Sequence, residues 1–229
     1  MLILILELSD YMNNFLKSSL EFFKGIGTIF LYLFLALIAS FLLENTNIYI
    51  SNIGTYLIIL IPLFLIYQKR LISDFKSFQK DYFNTALKNW LIGLSIMIIS
   101  NLIITVFFNN GLSTNETANR QTLLNNPLIS IIIMVFIAPL TEEITFRASF
   151  KNAFQKWYTF AIVTGFIFGF MHVENALFAG NIKELLFIIP YGALGFFFAK
   201  AYYETDNIYT SYIAHMMDNA LCILLIILF

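Results

Sequence analysis

Both histidines of the 229-residue chain, His172 and His215, lie in strongly apolar stretches. An ionisable group at the middle of a membrane-spanning helix costs about 2.5–3.5 kcal/mol on insertion scales, so such residues are candidates for function. They occur in three places. The first is Pro139-Leu140-Thr141-Glu142-Glu143-Ile144-Thr145-Phe146-Arg147, with two adjacent carboxylates and a guanidinium. On a helix Glu143 and Arg147 stand one turn apart and can pair. Glu142 points about 100° away from Glu143, which predicts a separate environment without a local partner. Pro139 frees a backbone carbonyl one turn earlier and bends or opens the helix. The second place is Gly165-Phe166-Ile167-Phe168-Gly169-Phe170-Met171-His172, where Gly165 and Gly169 offer a small-residue face for close packing. The third is His215-Met216-Met217-Asp218-Asn219. His215 and Asn219 share a face, and Asp218 is placed to orient the histidine.

These groups suit one kind of reaction. A glutamate and a histidine beside a trapped water can take its proton. A second histidine and an amide can donate hydrogen bonds to the oxyanion that forms. The set therefore suits attack of water on an amide carbonyl. No serine or cysteine is placed as a nucleophile. Cys222, the single cysteine, has no evident base beside it and excludes an internal disulfide or a Cys-rich metal site. The plainer alternatives are a helix end with an ordinary Glu–Arg pair and two histidines that serve packing alone.

The elements that must position these groups are membrane helices. Hydrophobic residues make up 59% of the chain and charged residues 12%, against about 45–50% and a quarter in soluble domains. A water-soluble globule of this size could not hide so much apolar surface. That excludes a cytosolic enzyme, a disordered chain and a secreted disulfide domain. The expected fold is all-α, a polytopic transmembrane helix bundle. Seven apolar runs mark spans near 26–43, 53–67, 90–108, 127–147, 157–178, 185–203 and 208–229. Leu8, Tyr11, Met12, Phe15, Ser19, Phe22 and Phe23 fall at helical spacing, which predicts an amphipathic helix over 8–24 near the membrane surface. The N-terminus lacks the basic start of a signal peptide. Residues 1–126 would hold that helix and three spans, and 127–229 a catalytic core of four.

Eleven basic residues (Lys17, Lys24, Lys69, Arg70, Lys76, Lys80, Lys88, Arg147, Lys151, Lys156 and Lys200) fall on one side of this topology, and only Arg120 and Lys183 on the other. The rich side is expected in the cytoplasm, with the N-terminus inside and the C-terminus outside. The stretch 109–126, starting Asn109-Asn110-Gly111, is polar and Asn-rich and reads as an exposed outer loop. Within it Asn115-Glu116-Thr117 has the form of a glycosylation acceptor, a pattern common by chance. Helical rise places Glu142 and His215 roughly 8–11 Å from the cytoplasmic face, and His172 near 22 Å when counted from residue 157. A shared site would then require span five to be displaced, with 151–157 as a cytoplasmic extension.

At these residues the chain resembles the family of CAAX prenyl proteases and bacteriocin-processing enzymes, the CPBP intramembrane proteases. The family motifs read here as Glu142-Glu143-Ile144-Thr145-Phe146-Arg147, Phe168-Gly169-Phe170-Met171-His172 and His215-Met216-Met217-Asp218-Asn219, in order, over about residues 127–220. Ala148 stands where members often have Gly. The resemblance implies that Glu142 and His172 activate water, that His215 and Asn219 form the oxyanion site, and that Glu143 and Arg147 support them. The expected function is an intramembrane endopeptidase, acting near the cytoplasmic side in bacteriocin or signalling-peptide processing or in self-immunity. Its partners would be the lipid bilayer and a membrane-associated peptide or protein, with no nucleic acid. No cofactor is favoured. The alternative is Zn2+ held by Glu142, His172 and His215, since the helical zinc motif His-Glu-x-x-His is absent from the sequence. The rival functions are a non-catalytic scaffold or immunity protein of the same fold, and a proton-coupled transporter.

Overall fold

The computed structural model describes residues 2–108 and 111–228, with side chains from residue 11 onward. The described residues form nine helices and no strand: α1 (Leu2–Leu43), α2 (Ile48–Lys76), α3 (Lys80–Phe108), α4 (Thr114–Asn125), α5 (Pro127–Ala148), α6 (Trp157–Met171), α7 (Glu174–Phe178), α8 (Ile182–Thr205) and α9 (Ile208–Leu228). Six of them are long and apolar enough to cross a membrane: α1 over Tyr11–Leu43, α2, α3, α5, α8 and α9. The seventh apolar helix, α6, has 15 residues, about 22 Å of rise against a hydrocarbon core of about 30 Å. The fold is thus an all-α membrane bundle.

Several elements differ from the expectation. The 8–24 surface helix and the first span are one continuous helix, because nothing between them breaks the backbone ladder. The run 157–178 is two helices, and His172 sits where α6 ends. Residues 149–156 form turns rather than helix between α5 and α6, with Phe150 fully buried and Phe150 and Phe154 packed edge-on against Phe22. Of the expected outer loop, Asn109 and Asn110 lie outside the described residues. The rest is mostly α4, started by Ser113, whose hydroxyl accepts from the Glu116 amide at 3.1 Å.

The core sits on α8, which packs against α6, α3 and α9, while α1 and α2 pack on each other. Glycine sets the α6–α8 approach. A Cβ on Gly169 would stand 2.6 Å from the Ile188 carbonyl oxygen, and one on Gly165 2.8 Å from the Phe196 amide. Helices come this close in lipid only over small residues. At the end of the bundle rich in lysine and arginine, the buried Asp74 carboxylate accepts from the Ile208 amide at 2.8 Å and caps α9. Arg70 holds both Asp74 (2.9 Å) and Asp206 (3.0 Å), and Lys151 holds Asp206 at 3.1 Å. Partial burial works against the charged Asp206 carboxylate, but Lys151 and Arg70 outweigh it and hold it below its usual range.

Gly169→Val should lower stability in detergent micelles by about 1–3 kcal/mol, read from the unfolding midpoint. Gly27→Ala adds a methyl that meets nothing within 4 Å and should not lower it.

Candidate active site

The site is built where α5, α6, α8 and α9 meet. Helix α5 is not regular: Ile133–Ile137 and Ile144–Ala148 are π-helical turns. In the first, the Ala138 amide bonds to the Ile133 carbonyl five residues back. The next bond in that register would run from residue 139 to Met134, and Pro139 has no N–H to make it. Asn219 on α9 takes the freed Met134 carbonyl instead, donating through Nδ2 at 2.7 Å. Tyr212, two turns earlier on α9, donates to the Phe136 carbonyl at 3.0 Å. The carbonyl that Pro139 frees therefore docks α9 onto α5.

Glu143 and Arg147 pair at 3.0 Å, as their spacing requires, with both side chains fully buried. This is not an ordinary helix end, and Arg147 does not belong with the basic residues outside the bundle. Its second amino group reaches the Gly195 carbonyl at 3.3 Å. Its flat face lies 4.3 Å from the Phe168 ring centroid. Glu143 also accepts from His215 Nδ1 at 3.0 Å. His215 stacks on Phe198 at 4.9 Å. Its Nε2 faces Glu142 at 3.8 Å. His215 thus lies between the two adjacent carboxylates, bonded to Glu143 and 3.8 Å from Glu142, which has no hydrogen-bond partner of its own among the described residues. The ring lies across the wedge between the two side chains.

Asp218 does not orient His215. It accepts from the Trp90 indole at 3.0 Å and fastens α3 to α9. Glu143 holds the histidine instead. Asn219 commits one amide hydrogen to Met134, which leaves the other for the cavity.

Glu142, His172, His215, Asp218 and Asn219 all line one cavity of about 820 Å³. Glu142 Oε2 is buried and takes no hydrogen bond from any described residue. His172 Nδ1 bonds the Phe168 carbonyl at 2.8 Å, so that nitrogen carries the proton and Nε2 keeps its lone pair. The rest of the wall comes from the second half of α1 (Tyr32), the first half of α2 (Tyr56), the second halves of α3 and α9, and from α4. The cavity therefore extends toward the α4 end of the bundle, away from the lysine-rich end. Glu174 also lines the cavity, and burial raises its carboxyl above the usual range.

A zinc ion would need three ligands within about 2.0–2.2 Å of one point. Among the described residues no three His, Cys, Asp or Glu side chains gather in that way. Glu142 and His215 approach each other, but His172 does not complete a ligand set with them, so the residues do not fit a three-ligand zinc site.

Residues 124–221 match the family model described as type II CAAX prenyl endopeptidase, Rce1-like. This part of the chain is similar to that family. The resemblance carried by the three motifs is thereby shown over the residues that bear them. A Mycoplasma capricolum protein without a functional name is 32% identical over 101 residues, 44% of this chain and 28% of that protein. A Bacillus subtilis protein named as a candidate membrane peptidase, YdiL, is 28% identical over 151 residues, 58% of this chain and 57% of that protein. The chain spans from about a quarter to just over half the length of these curated relatives. No solved structure matches it.

Sequence reasoning missed Phe168 as a contact hub, although it opens the second motif: it touches Arg147, His172 and His215. It also missed Trp90 and Tyr191, for which no local signal exists. Arg147→Met strands Glu143 in the core and should cost about 3–5 kcal/mol. Adding Glu143→Leu should recover part of that loss, because the uncompensated charge goes with it. Denaturant unfolding of both variants in micelles measures the difference.

Proposed function

We propose that the chain is a membrane-embedded endopeptidase that hydrolyses a peptide bond of a membrane-associated peptide or protein with an activated water. One observation carries this reading. The unbonded Glu142 carboxylate and the two histidines line a single cavity, over a buried pair that fixes one of the histidines. Glu142, which lines the same cavity as His172, takes a proton from water as its oxygen attacks the carbonyl carbon. The negative charge moves to the carbonyl oxygen. His215, held at Nδ1 by Glu143, donates to that oxygen through Nε2. The free amide hydrogen of Asn219 is the second donor. The proton held by Glu142 passes to the leaving nitrogen as the C–N bond breaks. Glu143 and Arg147 hold His215 in place without touching the reacting atoms. No step runs through a metal.

The membrane location follows from the helices, and the charge of the basic end supports a cytoplasmic position for it. The cavity then faces the opposite leaflet, and a substrate reaches Glu142 from that side. Processing of a bacteriocin or signalling peptide fits such a site.

The test maps new N-termini in membranes of cells producing the wild type, Glu142→Gln or His172→Ala. Wild-type membranes should hold peptides ending at cut sites that both variants lack. Identical profiles in all three would overturn the reading in favour of a scaffold. Cleavage should persist after exhaustive chelation in a preparation shown to hold no metal. Activity lost on chelation and restored by zinc would overturn the metal-free step.

A further inference from the structure

His172 is held on every side but one. Its Nδ1 is tied to the Phe168 carbonyl, and the Phe168 ring lies 4.3 Å from it. The other face is covered by Tyr191, stacked at 4.6 Å and 28°. Only the edge with Nε2 remains for a reacting molecule. Tyr191 is itself anchored outside the motif helices. Its hydroxyl pairs with Ser113 Oγ at 2.7 Å and accepts from Asn115 at 3.4 Å, both at the start of α4. A second tether lies beside it: the buried Glu184 carboxylate accepts from the Thr114 amide (3.0 Å) and hydroxyl (2.7 Å). A stacked ring restrains the tilt of an imidazole, and its own hydroxyl bond restrains the stack.

We propose that Tyr191 is the positioning residue of His172, and that through it the start of α4 is part of the active site. The inference rests on the reading of His172 as a base. Tyr191 touches no reacting atom. It fixes the angle at which Nε2 meets the water, and it does so only while Ser113 holds the phenol. Undocking of α4 would loosen His172 and leave His215 in place, because His215 is held by Glu143 and Phe198.

With two histidines in the chain, the 229-residue chain labelled at histidine gives two imidazole signals in micelles, assigned by His172→Gln. A face-on tyrosine shifts the His172 ring signal upfield. Tyr191→Leu should move that signal downfield and leave the His215 signal unmoved. Ser113→Ala keeps the ring and should move it in the same direction by less. For a peptide cut by the wild type, Tyr191→Leu should lower kcat about 10–100-fold with KM little changed. Tyr191→Phe should restore most of this rate and behave like Ser113→Ala. An unmoved His172 signal in both the leucine and alanine variants would overturn the proposal, whether or not a cleaved peptide is found. A moved signal without any cleavage by the wild type would sink the peptidase reading and leave the contact standing.

Discussion

A charged pair with no exposure to solvent, Glu143 with Arg147, governs the arrangement of the C-terminal half of the chain. Removing two charges from water costs several kcal/mol each, and their attraction offsets that only with good geometry and further hydrogen bonds. Each remaining demand is met from a different helix. The Gly195 carbonyl on α8 takes one Arg147 amino group, Phe168 on α6 lies under its face, and His215 on α9 bonds the carboxylate. Gly195 shows how tight this is. A Cβ there would stand 3.0 Å from Phe168 and 3.1 Å from the Gly165 backbone. The glycines bring α6 near enough to slide Phe168 under the guanidinium. The pair therefore specifies the fold more than it stabilises it: a wrong approach of any of the four helices would leave a charge stranded.

The irregularity of α5 serves the same end. A π turn adds a residue and rotates the rest of the helix beyond it, at the expense of a broken backbone register. Here the breaks are filled. Asn219 and Tyr212 take the Met134 and Phe136 carbonyls. Below them Thr141, Thr145 and Ser149 each donate back to the carbonyl four residues earlier, which suits a bent helix. With α9 docked on these groups, His215 comes to lie between Glu142 and Glu143. Neighbouring carboxylates on one helix then serve two ends of one imidazole. One is held rigid by Arg147, and the other is left bare toward the cavity.

The sequence made the three motifs legible because each is local. Glu143 to Arg147, Phe168 to His172 and His215 to Asn219 are one-turn relations that need no tertiary knowledge. The all-α membrane fold was legible from hydropathy. What stayed hidden depends on partners far along the chain. Asp218 stands at the right offset from His215, yet Trp90, 128 positions away, claims it. Arg147 sits at the end of an apolar run and so resembles any loop cation, until Gly195 and Phe168 surround it. Helix α4 carries no apolar stripe worth reading, and its helicity rests on the Ser113 cap and on what Glu184 and Tyr191 hold. His172 does stand a whole α6, about 22 Å of rise, beyond residue 157, and that it lines one cavity with Glu142 depends on how α6 packs against α5 and α8.

The division of labour along the chain explains why the family match begins near residue 124 although the cavity does not. The buried Glu143–Arg147 pair, the π turns and the glycines of the α6–α8 contact lie in α5, α6 and α8, with α9 bonded to the pair, and there residue type is fixed by what must bond to what. Helices α1 to α3 mostly present apolar faces outward, for which lipid is an adequate partner. Their inward contribution is a wall with a few polar points, among them Tyr32 and Tyr56. Many apolar sequences can build such a wall. Yet it excludes lipid tails from Glu142, and a carboxylate met by hydrocarbon in place of water has no proton to take. On the proposed reading the first half of the chain supplies no reacting group and still decides whether water can stand beside Glu142.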